Sequence, residues 1–323
     1  MIIIISRAND QSTDDVLNWI NHLFPHQKLV RINKEDSFLL KEMDLDDFTL
    51  VSSTSEIKFS EIQSVWYRRG DISLEVQSFS EEDEVDNELF KKVESFLRFE
   101  RNSVMSFIHT KLFSKKSLNS FLNASLNKQT VLLMARNYGL KVPATVITSY
   151  KTEVLKFLTQ YPESITKTIN HTFGITVDRD SVACYTEDVT KRDLKKMPPI
   201  FPLSLIQQKL KKKYEIRVFY LGSKFYSMAI FSQADTQTQT DFRHYNHTKP
   251  NRMVPYLLPE SIERKLDVLM KELKLTSGSI DIIVTPDLEH FFLEVNPIGQ
   301  FGMTSLPCNY YLEKCISEYL CQK

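Results

Sequence analysis

Glycine is scarce in this chain: there are seven in 323 residues, and none is arranged as GxGxxG or as a Walker A loop. That scarcity removes the two glycine-rich phosphate cradles that sequence reveals most directly. Cysteine is rarer still. Cys184, Cys308, Cys315 and Cys321 have no CxxC spacing, which excludes the usual zinc motifs. Three of them fall in one expected C-terminal helix, so they read as reduced cytosolic thiols. No run of about 18 consecutive apolar residues is available to span a bilayer. The opening MIIIISRAND has too short an apolar run for a signal peptide and lacks a basic flank. Charge of one sign is also missing, because 41 Lys and Arg balance 41 Asp and Glu. Such a balance supplies no field for nucleic acid. What remains is a soluble, cytoplasmic protein of two or three lobes, with no membrane partner.

The densest chemistry lies near the C-terminal end. Residues 280–284, Ile-Asp-Ile-Ile-Val, read as an apolar strand interrupted by one carboxylate. Thr285, Pro286 and Asp287 are turn formers. Residues 291–295, Phe-Phe-Leu-Glu-Val, form the return strand, ended by Asn296 and Pro297. Alternation along a strand places Glu294 and Asn296 on one face, where Asp281 of the neighbouring strand can join them. Two carboxylates and an amide oxygen suit a hard divalent ion such as Mg²⁺, with water and phosphate completing its octahedron. A solvated surface hairpin is the alternative. It is disfavoured because both acids sit in apolar runs, where an unpaired carboxylate costs several kcal/mol.

Upstream, residues 2–5 form a continuous apolar run, as in a strand covered on both faces. Ser12, Thr13, Asp14 and Asp15 start a helix; Val16, Leu17, Ile20, Leu23 and Phe24 continue it, and Pro25 ends it. Strands over 29–32, 48–51 and 65–67 complete a small α/β lobe with a partly parallel sheet. Arg68 and Arg69 close the third of these, where they either face a ligand or solvate a strand end. Residues 80–113 read as one long helix with an acidic first turn. Its expected buried stripe is Leu89, Phe90, Val93, Phe96, Leu97, Ile108 and Leu112. A helix opens at Asn127 and Lys128 and closes at Gly139. Strands over 142–148 and 164–167 follow, with a short helix between them, and then a mobile loop over 170–174. Pro198, Pro199 and Pro202 mark a boundary, giving expected lobes of 1–115, 116–200 and 201–323. The basic run 209–213 reads as a solvated loop, since no aromatics are interleaved with it. A hairpin over 214–231 turns at Leu221, Gly222 and Ser223. A polar stretch over 235–240, an amphipathic helix over 259–274 and a last helix over 310–320 finish the chain.

Lys128, Lys167, Glu215, Arg217, Arg243, Asp281, Glu294 and Asn296 together form a kit for phosphoryl chemistry. It holds cations for phosphate oxygens, carboxylates for magnesium, and arginine for charge on the transferring group. In this order the motifs resemble the ATP-grasp superfamily of carboxylate–amine ligases. Within it they resemble the graspetide (microviridin-like) peptide maturases, above all the GRASP-with-SPASM type. The resemblance covers essentially the whole chain. It rests on VWYRRG, LNKQTVLLMARNYGLKVPATVIT, ITK, LIQQKL with YEIRVFYLG, TDFR and DIIVTPDLEHFFLEVNPIGQFG.

That resemblance implies an ATP-grasp fold of the α/β class with α+β lobes: an N-terminal pre-ATP-grasp lobe, then two ATP-grasp subdomains. It implies ATP and Mg²⁺ as cofactors. Lys128 and Lys167 match the phosphate-binding lysines, Gln207, Gln208 and Leu210 the adenine hinge, and Glu215 the acid near the ribose. Arg217 and Arg243 match catalytic arginines beside the γ-phosphate and the acyl phosphate. Asp281, Glu294 and Asn296 match the Mg²⁺ ligands. One departure is the hinge, which carries glutamines where many ATP-grasp enzymes carry an acid. The implied partner is a precursor peptide with a leader and an acidic, Thr-rich core, the leader docking near 225–231 and the segment up to the helix at 259. The implied reaction is ATP-dependent closure of ester or amide side-chain crosslinks, and a homodimer is compatible with it. Two other readings stay open: an ATP-grasp ligase joining free amino acids, and a nucleotide-binding regulator without turnover.

Overall fold

In the computed structural model, the described residues are 1–75, 87–170, 174–177, 180–183, 186–233 and 251–322. They fold as two compact units. The first comprises Met1–Ser125, Leu273–Ser277 and Tyr311–Lys323; the second comprises Leu126–Glu272 and Gly278–Tyr310. Two pieces of the sequence span 201–323 therefore belong to the first unit. No helix among the described residues is long and apolar enough to cross a membrane.

The first unit is built on the apolar strand at its start. Ile2–Ser6 is buried at every residue and pairs in parallel with Leu29–Asn33 on one side and Ser64–Tyr67 on the other. Lys116–Leu118 completes this sheet beside Ser64–Tyr67. A strand bonded on both edges and covered on both faces favours apolar side chains, and its one polar residue, Ser6, is satisfied by Thr13, Oγ to Oγ1 at 2.7 Å. Helix Gln11–Leu23 turns Thr13, Val16 and Ile20 inward, and the last helix, Leu312–Cys321, packs on it. Cys308 instead ends the preceding short helix, Gly302–Cys308, so the three C-terminal cysteines do not share one helix. A second sheet, in the order Glu56–Lys58, Phe48–Val51, Ser37–Met43, Ser73–Leu74, includes three strands that sequence periodicity does not reveal. Asn119 ties in the segment 273–277. Its Nδ2 donates to Ser277 O at 2.8 Å, and its Oδ1 accepts from Thr276 N at 3.0 Å.

Two expectations change here. Arg68 is buried against Ser12, with Nε 3.2 Å from Ser12 Oγ and 3.4 Å from Asp10 Oδ2; Arg69 reaches the same Asp10 oxygen. The paired arginines thus hold an internal carboxylate, and burial lowers the Arg68 guanidinium to about 10 even beside it. The long helix runs Asn87–Phe113, and residues 80–86 of the expected helix lie outside the described residues. Ile108 and Leu112 are buried as expected, but none of residues 88–107 is. Leu89 and Phe96 are 55% and 59% exposed. Periodicity reports that a helix has an apolar face, not that its own chain covers it.

The second unit holds two antiparallel sheets. One is ordered Glu187–Asp188, Ser164–Lys167, Ile200–Gln208, Thr145–Tyr150, with helix Lys151–Gln160 against it. Its Ile200–Gln208 strand runs through Pro202 on an irregular register, so the prolines expected to mark a boundary fall beside and within one strand. The other is ordered Arg252–Tyr256, Lys224–Phe231, Tyr214–Leu221, Ser277–Val284, His290–Asn296. Gly222 and Ser223 both take positive φ, 52° and 68°, at the tight turn between its two longest-paired strands. That is the geometry whose twist matches a hairpin. Helix Glu260–Glu272 buries Leu266, Leu269 and Met270.

Gly70 shows how tightly the strand ends are packed in the first unit. Its φ is +80°, and a Cβ would lie 2.6 Å from Ser6 O. Gly70→Ala is expected to cost about 2 kcal/mol or more, from the left-handed backbone and the clash together. Gly302→Ala, where a Cβ meets nothing within 4 Å, should change stability by no more than about 0.5 kcal/mol. Thermal unfolding of the two variants beside the parent checks both.

Candidate active site

The site grows from the hairpin of Ser277–Val284 and His290–Asn296. Asp281 lies directly opposite Glu294, and Ser279 opposite Asn296. The register slips between Asp281 and Ile282, leaving Leu293 as an additional residue. Bulges of this kind re-aim side chains next to sites. Beyond Asn296 the chain folds back so closely that a Cβ on Gly299 would sit 2.2 Å from Ser279 Oγ.

Each carboxylate is matched by a cation from another element. Arg217, on Tyr214–Leu221, donates from Nη1 to both Asp281 oxygens at 2.6 Å. Its Nε is buried and has no hydrogen-bond acceptor, a costly arrangement that water or an oxyanion would relieve. Lys128 Nζ lies 3.0 Å from Glu294 Oε2, while Asn296 Nδ2 donates to Glu294 Oε1 at 3.3 Å. Burial pushes the Glu294 carboxyl up, but Lys128, then Lys167 and Asn296, bring it below the usual carboxylate range.

Lys128 is the first residue of helix Lys128–Asn137, whose cap Asn127 accepts from Thr130 N at 2.9 Å. A cation at the positive end of a helix is unfavourable by a few tenths of a kcal/mol, so its place is set by what it faces. Val131 and Ala135 of this helix are buried, and the helix packs against His290–Asn296. Lys167 ends the strand Ser164–Lys167, opposite Leu205.

Glu215 shares a strand face with Arg217. It is bonded by Lys212 and by Ser232 Oγ, the latter at 3.2 Å. Burial raises its carboxyl, Lys212 opposes that, and the Asp281 charge adds to the rise. Lys212 itself has a side chain only 6% exposed. The run 209–213 is a loop with Lys211 and Lys213 exposed, as expected, but Lys212 departs from that expectation and adds a residue that sequence reasoning missed. A Lys three residues before a strand Glu was its only trace.

Of the hinge residues, Gln207 is buried and its Nε2 donates to Thr145 Oγ1 at 2.8 Å. Gln208 N donates to Ala144 O at 2.9 Å, and Leu210 follows the strand end, half-buried. Arg243 and the expected polar stretch 235–240 lie outside the described residues, as does most of the loop 170–174. The structure therefore brings together Lys128, Arg217, Asp281, Glu294 and Asn296, with Lys167 within electrostatic reach and Glu215 beside Arg217 along the strand. Among the described residues no group of three or more His, Cys, Asp or Glu side chains could hold a metal. The donor set here is two acids and an amide. Its hard oxygens fit Mg²⁺, provided water and phosphate fill the remaining positions.

The Glu294 environment sets a pH dependence. A carboxyl depressed in the folded state adds stability above its ordinary value of about 4.3 and loses it as pH falls through the folded value. Lys128→Met removes the main cause. The stability difference between parent and variant, measured by urea unfolding, should be largest near neutral pH and shrink below about pH 4.

No known family profile matches the sequence, and no curated protein does. Solved structures match over nearly its whole length. The macrocyclase MdnC from Microcystis aeruginosa MRC, bound with precursor peptide MdnA, is 26% identical with a TM-score of 0.76, covering 99% of both chains. A RiPP-associated ATP-grasp ligase from Chryseobacterium gregarium, in complex with ADP and a leader and core peptide, is 24% identical with a TM-score of 0.79, covering 99% of this chain and 94% of that one. D-alanyl-alanine synthetase A from Vibrio cholerae shares the fold more distantly, at 15% identity and a TM-score of 0.57, over 99% of this chain and 96% of that one. From end to end the chain has the fold of the ATP-grasp ligases, and it is similar to the graspetide-type peptide ligases among them.

Proposed function

We propose that this enzyme uses ATP to join side chains within a ribosomally made precursor peptide. A carboxylate oxygen of a core Asp or Glu attacks the γ-phosphorus, the bond to the bridging oxygen breaks, and ADP leaves an acyl phosphate. A Thr or Ser hydroxyl, or a Lys amine, of the same peptide then attacks the acyl carbon. Phosphate departs, a proton is lost, and an ester or amide ring closes. The observation that carries this reading is the Asp281–Glu294 pair. Two carboxylates face each other across adjacent strands, each held by a cation that phosphate oxygens can compete for.

In this reading Lys128 and Lys167 hold phosphate oxygens, helped by the helix N-terminus behind Lys128. Glu215 accepts from the ribose, and the hinge backbone at Gln208 to Leu210 borders the adenine. Asp281, Glu294 and Asn296 would hold Mg²⁺, which neutralises charge on the phosphates. Arg217 stabilises oxyanion charge, and its unsatisfied Nε supports that role; Arg243 is assigned to the same task. Holding both peptide groups together supplies the proximity contribution. The structural neighbours bound to precursor peptide, or to ADP with leader and core, support a peptide substrate over free amino acids. An acidic, Thr-rich core follows from the chemistry, and a cytoplasmic location follows from the need for ATP.

Incubation with ATP, Mg²⁺ and a precursor peptide should release ADP, and each ring closed should lower the peptide mass by one water. Glu294→Ala should abolish both, and Arg217→Ala should lower kcat roughly 10²–10³-fold. Phosphate release with free amino acids and no peptide would favour the amino-acid ligase instead.

A further inference from the structure

A glutamine reads a nucleotide base only if something decides which way its amide faces. One side of the amide donates hydrogen bonds, the other accepts them, and the two sides are nearly the same shape. Adenine presents a donating amine at its position 6, where hypoxanthine and guanine present an accepting carbonyl. An amide free to turn would suit either kind of base. Gln207, on the strand Ile200–Gln208 and part of the proposed adenine hinge, is not free to turn.

Gln207 lies opposite Thr145, the first residue of the neighbouring strand Thr145–Tyr150. Its Nε2 is 2.8 Å from Thr145 Oγ1, which in turn is 3.1 Å from Pro143 O. The far end of this chain forces the order of donors. A carbonyl oxygen only accepts, so the single hydroxyl proton of Thr145 goes to Pro143. Thr145 Oγ1 can then only accept from Gln207. That turns the amide nitrogen toward Thr145 and leaves Oε1 on the opposite side, with no donor of its own among the described residues. Gln208 does not offer the same atom, because its Oε1 already accepts from Ala144 N at 3.4 Å.

We propose that Thr145 is a positioning residue for base selection. Held by the Pro143 carbonyl, its hydroxyl fixes the Gln207 amide with the acceptor outward, so the hinge takes a 6-amino purine nucleotide and rejects a 6-oxo one. This deepens the nucleotide reading of the hinge and rests on it. Turning the amide to meet a carbonyl requires the Thr145 proton to leave Pro143. The loss of that one hydrogen bond weakens 6-oxo purines about tenfold.

Calorimetric titration of the full chain with the magnesium salts of ATP and of inosine triphosphate, whose base carries the 6-carbonyl, tests this without turnover. The parent should bind ATP the more tightly. Thr145→Val removes the hydroxyl at nearly constant shape. It should tighten the inosine nucleotide about tenfold and leave ATP almost unchanged, a gain that a folding defect cannot produce. Thr145→Ser keeps the hydroxyl and should keep the parent ratio. A carboxylate accepts through both oxygens and has no wrong way round, so in a Gln207→Glu background Thr145→Val should no longer shift the ratio. If Thr145→Val leaves the ratio at the parent value while ATP still binds, the proposal is overturned and the ligase reading stands. A ratio relaxed equally by Thr145→Ser, or still shifted in the Gln207→Glu background, overturns it too. A parent that binds no ATP overturns the hinge reading and this proposal together. Ring closure plays no part in the readout, so its failure in the peptide assay is a separate result.

Discussion

Two carboxylates facing each other across adjacent strands are the constraint on which the site depends. Asp281 and Glu294 cannot both stay ionised in a half-buried hairpin unless opposite charge is brought to them. The fold brings it from two directions, Arg217 from the neighbouring strand and Lys128 from the start of a helix that packs on the hairpin. These ion pairs fix where the strand and the helix sit relative to the acids. They are also exchangeable. A nucleotide carries negative charge that draws the cations, and it arrives with a cation that draws the acids. A site balanced in this way can trade partners without leaving any charge unpaired.

A second buried pair supports the first. Glu215 lies on the same strand face as Arg217, and Asp281 works against its ionisation. Lys212 is the counter-charge, buried where the strand begins. Four charged groups, Lys212, Glu215, Arg217 and Asp281, thus alternate in sign along a short path. Removal of any one would leave its neighbour a charge to bury alone, and that costs more than a surface pair returns.

The hairpin chemistry was legible because a strand has a period of two. Once Ile280 to Val284 and Phe291 to Val295 are strands, the facing of Asp281, Glu294 and Asn296 follows. The buried first strand was equally plain, since only a fully covered strand tolerates four isoleucines in succession. Other features were hidden for physical reasons. Lys212 looks like its neighbours Lys211 and Lys213, and only the turn into the next strand selects which lysine faces Glu215. Arg68 and Arg69 mark a strand end from sequence, but their counter-ion, Asp10, follows the neighbouring strand Ile2–Ser6, more than fifty residues away in the chain. The strand Ser37–Met43 carries Lys41 and Glu42 and alternates too weakly to be seen. The long helix was visible as a helix, but its burial was not, because cover depends on what lies outside the segment.

Scarcity of glycine bears on how phosphate is held. A P-loop or dinucleotide fingerprint uses backbone N–H groups, and glycine is what lets the backbone come close enough. This chain uses glycine for close approach elsewhere, as at Gly299 against Ser279. Under the proposed function, phosphate binding without such a cradle rests mainly on side chains, and Lys128 and Lys167 are the cations proposed for it. A lysine is a point charge on a flexible stem, so by itself it gives attraction without geometry. The geometry comes from the other end of each contact: helix Lys128–Asn137 is pinned by Val131 and Ala135, and Glu294 holds the Lys128 ammonium in place. The acid that would bind the metal is therefore also what aims the lysine, and the two functions cannot be separated by mutation at position 294.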